Sequence, residues 1–527
     1  MCIIVLTIDT RNLIVMKRTL IIIFSVVLLL LTGSLIWLRY GVDQDHIQSI
    51  LSNAVGPEYT VELQSARISP LKRAVKLDGL TISSTTDNNL IFEADTLNVS
   101  GIGLRSLFGN SISLSVLEMK NFTLVQSDSG IEIEEEESVR GASIQRINIR
   151  KLDFVDGTVK VQKDESKNYI LNELFVQASI DIRIVSGEES YNVSYNRLNV
   201  DSLDVLFSDD RYRFSLAGFN FTRKYERLTL SSLKLIPVGG YEQFMRASPY
   251  RVDMVDLEIE DFTVYGVVPS AFEQDSIIKA DSLVFGYFDI HVAKNKQLPG
   301  KPKQDNKKLL NEIIQDLGYG LEFELISFRN AHIRYSEQDT DGVRPGTVSF
   351  MNSAIRIWEV NSNSRSPAVL TAVTYLQDHS ELNTELRFTL DDEPFRMSGT
   401  GKLNPFDLTL LNSIFKDMEG IKIESGSVHE LTFEFEMAGN VSSGYIHLLY
   451  DNLKIRFVDK DDYSRNLKLS IRTFFAKNFA LLSENMPDEN GTARIGKIDH
   501  EQEPDDAFSK YLWQTLRSGI LDVLLRS

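Results

Sequence analysis

Apolar and polar residues along this chain fall into a recurring string, apolar-x-apolar-x-x-apolar-x-apolar. Its first copies are Val75-Leu77-Leu80-Ile82, Phe92-Ala94-Leu97-Val99 and Leu117-Met119-Phe122-Leu124. Ile147-Ile149-Leu152-Phe154, Leu198-Val200-Leu203-Val205 and Leu228-Leu230-Leu233-Leu235 follow. Then come Leu257-Ile259-Phe262-Val264, Ile278-Ala280-Leu283-Phe285, Ile326-Phe328-Ala331-Ile333 and Leu448-Tyr450-Leu453-Ile455. Strict alternation marks a strand with one face buried. The two central polar positions, such as Asp78-Gly79, Lys120-Asn121, Glu260-Asp261 and Asp451-Asn452, slip that alternation by one. A β-bulge or a short turn between two strands would give this spacing. Many copies start 17 to 30 residues apart, about the length of a hairpin. Together they predict a mainly β protein, an elongated, curved and repetitive antiparallel sheet whose units contact chiefly their neighbours.

Helical periodicity is sparse by comparison. One short amphipathic helix is predicted over residues 41–56, with Ile47, Ile50, Leu51 and Val55 on one side. Others are predicted over Asn306–Leu317, Pro405–Met418 and Asp506–Leu525. The last carries an apolar stripe of Phe508, Tyr511, Leu512, Leu516, Ile520, Val523 and Leu524, and it reads as a cap on the end of the sheet, the alternative being a contact with a second membrane or a partner protein. Four short helices cannot roof some twenty strands. The sheet must therefore roll on itself or keep an open apolar groove. Leu203, Val205, Leu233, Leu235, Phe262 and Val264 are the candidate groove-lining residues. In a membrane-tethered chain, phospholipid acyl chains are the expected occupants.

The tether itself is a run of twenty uncharged residues, Thr19 to Leu38. At about 1.5 Å per residue it matches the roughly 30 Å hydrocarbon core of a bilayer. Lys17 and Arg18 precede it, and Trp37 and Tyr40 stand at its far end where aromatic rings favour the interface. The run is longer than a signal-peptide core and lacks a small-residue cleavage site. It therefore predicts a single-pass transmembrane helix. The organisation expected is a short cytoplasmic N-terminus over 1–18 with Met16 as a natural start, the span over 19–38 and the amphipathic helix over 41–56. A repetitive β body follows over 57–293, then a linker and helix over 294–318, and a C-terminal β-region over 319–527. The Lys- and Pro-rich stretch KNKQLPGKPKQDNK (residues 294–307) marks the linker.

Charge and residue chemistry narrow the function. A net charge of −18 argues against nucleic acid, which needs a basic face. The one cysteine, Cys2, precedes the apolar run, so disulfide and thiolate chemistry are not expected beyond the membrane. Seven histidines are scattered without an H-x-x-x-H or H-E-x-x-H pair, and His332 and His447 read as strand residues rather than ligands. No nucleophile elbow or phosphate loop is present, and Gly101-x-Gly103 reads as a turn. The acidic runs at Glu132–Glu137 and Asp459–Asp462 lack calcium-loop spacing and read as solvated loops. Neither a cofactor nor catalysis is expected.

Two blocks carry a family resemblance. The opening one reads ARISPLKRAVKLDGLTIS (Ala66 to Ser83) and FEADTLNVSGIGLRSLFGNSISLSVLEMKNFTLVQ (Phe92 to Gln126). The closing one reads GTGKLNPFDLTLLNSIF (Gly399 to Phe415) and IKIESGSVHELTFEFEMAGNVSSGYIHLLYDNLKI (Ile421 to Ile455). Together, roughly 150 residues resemble AsmA-like proteins, of the AsmA/TamB-related, bridge-like lipid-transfer superfamily, with a texture of the Bacteroidetes type. The resemblance implies a Gram-negative inner-membrane anchor, a periplasmic β-groove, and a role in phospholipid transport or lipid homeostasis between inner and outer membrane. The alternative is a non-catalytic scaffold or assembly factor for outer-membrane biogenesis. At about 4.8 Å between strands, some twenty strands stack to roughly 100 Å. That length is marginal for crossing a periplasm and implies an outer-membrane or periplasmic protein partner.

Overall fold

The structure, a computed structural model, describes residues 47–527 apart from 50, 53–56, 58, 70–71, 86–89, 104–110, 128–145, 165–166, 185–190, 207–210, 301–307, 339–343, 392–393, 417–420, 458–480, 504–505 and 526–527. The expected transmembrane span over 19–38 and both acidic runs lie outside the described residues. Among the described residues no helix is long and apolar enough to cross a membrane. The chain divides into two compact units, Met1–Leu233 and Lys234–Ser527, and the division falls inside a strand.

Unit 1 begins with residues 47–49 and 51–52 in helical conformation. Ile47 and Leu51, two residues of the stretch expected as an amphipathic helix, enter the apolar core. Strands β1 (Tyr59–Ser69), β2 (Ala74–Ser84), β3 (Leu90–Ser100) and β4 (Ser111–Ser127) pair antiparallel in chain order. Then come β5 (Arg146–Asp164), β6 (Lys167–Ile184), β7 (Tyr191–Leu206) and β8 (Tyr212–Thr222), also antiparallel. Strand β9 (Arg227–Pro237) carries the division between the units.

Unit 2 contains β10 (Asp253–Tyr265), β11 (Ile277–Asn295), β12 (Gly320–Gln338), β13 (Gly346–Asn361), β14 (Ala368–Leu376) and β15 (Ser380–Phe388). It continues with β16 (Arg396–Leu403), β17 (Phe406–Asp407), β18 (Ile421–Ala438), β19 (Val441–Phe457) and β20 (Ile495–Glu501). Its helices are α1 (Gly240–Ala247), α2 (Pro269–Asp275), α3 (Leu310–Gln315) and α4 (Phe508–Leu524). The helix expected over Pro405–Met418 is present as a short 3-10 helix, Leu408–Leu411, followed by one α-helical turn, Asn412–Ile414, and α3 is shorter than expected.

The expectation of a wholly antiparallel sheet needs one correction, because β4–β5 and β11–β12 pair parallel. A parallel partner requires the chain to return to the strand's starting end. The stretch expected as linker and helix, 294–318, is that return within unit 2.

All ten copies of the repeat lie inside single continuous strands, which excludes the turn reading. In four copies the second central residue has a left-handed backbone: Gly79 at φ +62°, Asn121 at 46°, Asp261 at 51° and Asn452 at 53°. Glycine, asparagine and aspartate tolerate that region best, which accounts for the Asp-Gly, Lys-Asn, Glu-Asp and Asp-Asn pairs. A one-sided bulge is absent at this level in β1–β4. Leu77 faces Leu97 and Leu80 faces Ala94, as Leu97 faces Met119 and Ala94 faces Phe122, with no shift of register between. Neighbouring strands slip together, so each keeps its apolar residues on the same face. Leu77, Leu80, Ala94 and Met119 are almost completely buried as a result.

The polar centres do work of their own. Asp78 accepts bonds from Arg67 at 2.7 Å, Lys76 at 2.7 Å, Ser65 at 3.1 Å and Thr96 at 3.3 Å, joining three strands. The Arg67 bond, then that of Lys76, holds its carboxyl well below the usual carboxylate range. A depressed pKa contributes stability above the unfolded-state value, near 4, and loses it as pH falls toward the folded one. Asp78→Asn is expected to cost about 1–2 kcal/mol at pH 7. In denaturant melts, the gap between variant and parent should shrink steadily below about pH 4. An unchanged gap at pH 2.5 would exclude this source.

Candidate functional site

Register and alternation place two unbroken files of residues side by side on one face of unit 2. In the first, Val264, Leu283, Ile326, Ile357, Leu370 and Leu386 are successive partners from β10 to β15. That file continues through Gly399, Phe435, Gly444 and Ile498 to β20. In the second, Phe262, Phe285, Phe328, Ile355 and Ala372 lead on to Thr384, Gly401, Phe433, Ile446 and Gly496. Of these twenty positions Thr384 alone is polar. Each file crosses ten strands, about 43 Å at 4.8 Å per step.

The files differ in cover along their length. At the β10 end Phe262 and Val264 are buried, with the Phe262 ring centred 4.6 Å from Phe285 and Phe285 stacked 4.5 Å from Phe328. In the middle, Leu283, Ile326, Phe328, Ile355, Leu370 and Leu386 are only half-buried. The middle of the two files therefore lacks the cover that buries their ends. Farther on, the rings of Phe433 and Phe435 lie across Gly401 and Gly399, where a β-carbon would come within 2.2 and 2.5 Å of them. Thr384 Oγ1 is buried there with no hydrogen-bond partner.

Helix α4 closes the β20 end. A β-carbon on Gly496 would stand 2.1 Å from the Gly519 carbonyl oxygen, and one on Gly519 would stand 2.8 Å from Ile498 and 2.9 Å from Ile446. The missing β-carbons let helix and strand backbones touch. Thr515 Oγ1 donates to Ser442 Oγ at 2.9 Å, and both are buried. Burial pushes the Tyr511 phenol up to about 12. Asp522 accepts from the Lys497 amide at 2.8 Å and Ser518 from the Asp499 amide at 3.3 Å, on β20's outer edge. The buried line of α4 is Tyr511, Thr515, Gly519 and Val523. The stripe read from the sequence missed Thr515 and Gly519, because close helix–strand approach selects small residues that hydrophobicity does not flag.

Of the candidates from the sequence, Phe262 and Val264 head the two files. Leu235, on β9, is half-buried. In unit 1, Leu203 and Val205 are half-buried and face Leu216 and Phe214, while Leu233 is buried. Ile357 went unflagged because β13 shifts register between Met351 and Ala354, and Leu370 and Leu386 because β14 and β15 lack the repeat. Their signal was the period-two pattern in AVLTAVTYL and SELNTELRF. His332 and His447 lie on β12 and β19 as expected; His332 Nδ1 stands 3.7 Å from Asp289. Among the described residues no group of three or more His, Cys, Asp or Glu is placed to hold a metal ion.

No family model matches the chain, and no curated protein matches it either.

Proposed function

We propose that this chain is an inner-membrane-anchored, periplasmic AsmA-like protein that carries phospholipid acyl chains on an apolar β-groove, without catalysis. The double apolar file across ten strands, half-exposed in its middle, is the observation that carries this reading. An extended sixteen-carbon chain is on the order of 20 Å, so the file offers room for lipid tails with length to spare. The orphan hydroxyl of Thr384 suits an acceptor such as an ester carbonyl. The Thr19–Leu38 run and the two blocks resembling AsmA-like proteins supply the membrane and envelope setting.

A second reading, a scaffold with a packed interior, draws on unit 1. There the apolar faces of β1–β5 form a filled core with Ile47 and Leu51. Photo-crosslinking separates the two. With benzoylphenylalanine at half-buried Phe328 or Leu370, phospholipid adducts are expected by mass spectrometry, and none with the probe at exposed Glu436. Absence of adducts at both apolar positions, with no phospholipid copurifying, would favour the scaffold.

A further inference from the structure

The face opposite the apolar files carries a cleft, which the lipid reading leaves without a role. Alternation along the same strands puts Arg356, Thr371, Glu385, Thr400, Glu434 and Tyr445 in one row of register partners. A parallel row holds Asn383, Lys402, Thr432 and His447. They floor a cleft of about 1200 Å³ that reaches from Arg329 on β12 to Lys497 on β20. Three features of this cleft point to one ligand chemistry.

Its charge is opposite in sign to that of the chain. Arg329, Arg356, Lys402 and Lys497 line it against Glu385 and Glu434, in a protein of net charge −18. Much of that charge is already engaged: Glu385 pairs with Arg387 at 2.8 Å, Lys497 with Asp499 at 2.8 Å and Lys402 with Glu430 at 3.8 Å. The guanidinium groups of Arg329 and Arg356 form no hydrogen bond or ion pair among the described residues. A guanidinium fork without a carboxylate is matched to a bidentate anion.

Its position excludes strand addition. The main strands crossing the floor, β13 to β16, β18 and β19, are paired on both sides, so a bound peptide would find no free ladder. Recognition falls to side chains. Thr371, Thr400, Thr432 and Asn383 supply hydroxyl and amide groups at strand spacing. Tyr445, 59% exposed, supplies a ring beside them. Hydroxyl-rich ligands with apolar C–H faces use both, and their carboxylates use the arginines.

We propose that this trough binds an acidic oligosaccharide, with carboxylates at Arg329 and Arg356 and a sugar ring on Tyr445. The site lies on the face away from the lipid groove, so the two readings fail independently. The test is isothermal titration of the full chain in detergent with hexagalacturonate, beside maltohexaose and hexaglutamate. Saturable binding of hexagalacturonate is expected, at least tenfold tighter than either comparator. Arg356→Gln and Tyr445→Ala are each expected to weaken it about tenfold, with circular dichroism unchanged at these exposed positions. Arg356→Lys, which keeps the charge and loses the fork, should fall with Arg356→Gln. Absence of saturable binding overturns the proposal. So does equal affinity for hexaglutamate, or indifference to Tyr445→Ala, since either would mean simple ion exchange.

Discussion

Replacing Gly496 by valine is expected to unseat the C-terminal helix and open the last two strands of unit 2. The added β-carbon would sit 2.1 Å from the Gly519 carbonyl oxygen and 2.7 Å from Val523. A backbone oxygen cannot rotate aside as a side-chain tip can, so α4 must shift bodily. Its buried line then loses registry with Ile446 and Ile498, and the Thr515–Ser442 bond is broken in a dry interior. Overpacking of a tight site costs about 1–3 kcal/mol, and an unsatisfied buried hydroxyl pair adds about 1–3 kcal/mol. The edge amides of Lys497 and Asp499 lose their acceptors at the same time. A strand edge so bared is a template for pairing with another molecule. Hydrogen exchange should therefore rise by two or more orders of magnitude over residues 495–501 and 508–524, with β1–β4 unchanged, and size-exclusion should reveal oligomers. Native protection in the variant would show that the helix is not held through this contact.

Little in the sequence marks Gly496 or Gly519 for that role, and the reason is general to this fold. The repeat made strands legible because burial of one face imposes period two on each strand separately. Leu77, Leu80, Phe262 and Leu453 could all be placed by that rule. The slip at the polar pair was legible too, since Asp-Gly and Lys-Asn are the residues a left-handed backbone tolerates. What the chain does not spell out is register, which pairs positions as far apart as Val441 and Glu501. The apolar files exist only through pairings such as Leu283 with Ile326 and Leu370 with Leu386. The parallel joins β4–β5 and β11–β12 were equally hidden, because a parallel and an antiparallel neighbour demand the same alternation of a strand. The polar cleft was missed for the same reason: Arg356 and Tyr445 read as solvent-facing residues until the ladder aligns them.

Changing Leu370 to aspartate is expected to empty the groove of lipid while leaving the sheet standing. Leu370 is half-buried, between Ile357 and Leu386 in the first apolar file. Because it keeps partial contact with water, the carboxylate can stay ionised and hydrated, and the fold should lose only about 1–2 kcal/mol. An acyl chain in the same file would have to strip that hydration or detour around it. Desolvating the carboxylate against hydrocarbon costs several kcal/mol, so about 3 kcal/mol of lost lipid affinity, some hundredfold, is a conservative expectation. The comparator is Val369→Asp, one residue away on the same strand, which alternation points to the other face. It adds the same charge to the same strand. Phospholipid recovered per mole of purified protein should fall to background in Leu370→Asp and match the parent in Val369→Asp. Equal retention by both would mean that any bound lipid lies elsewhere than on the file. Equal loss in both, with intact circular dichroism, would point to net charge instead of the apolar face as the controlling property.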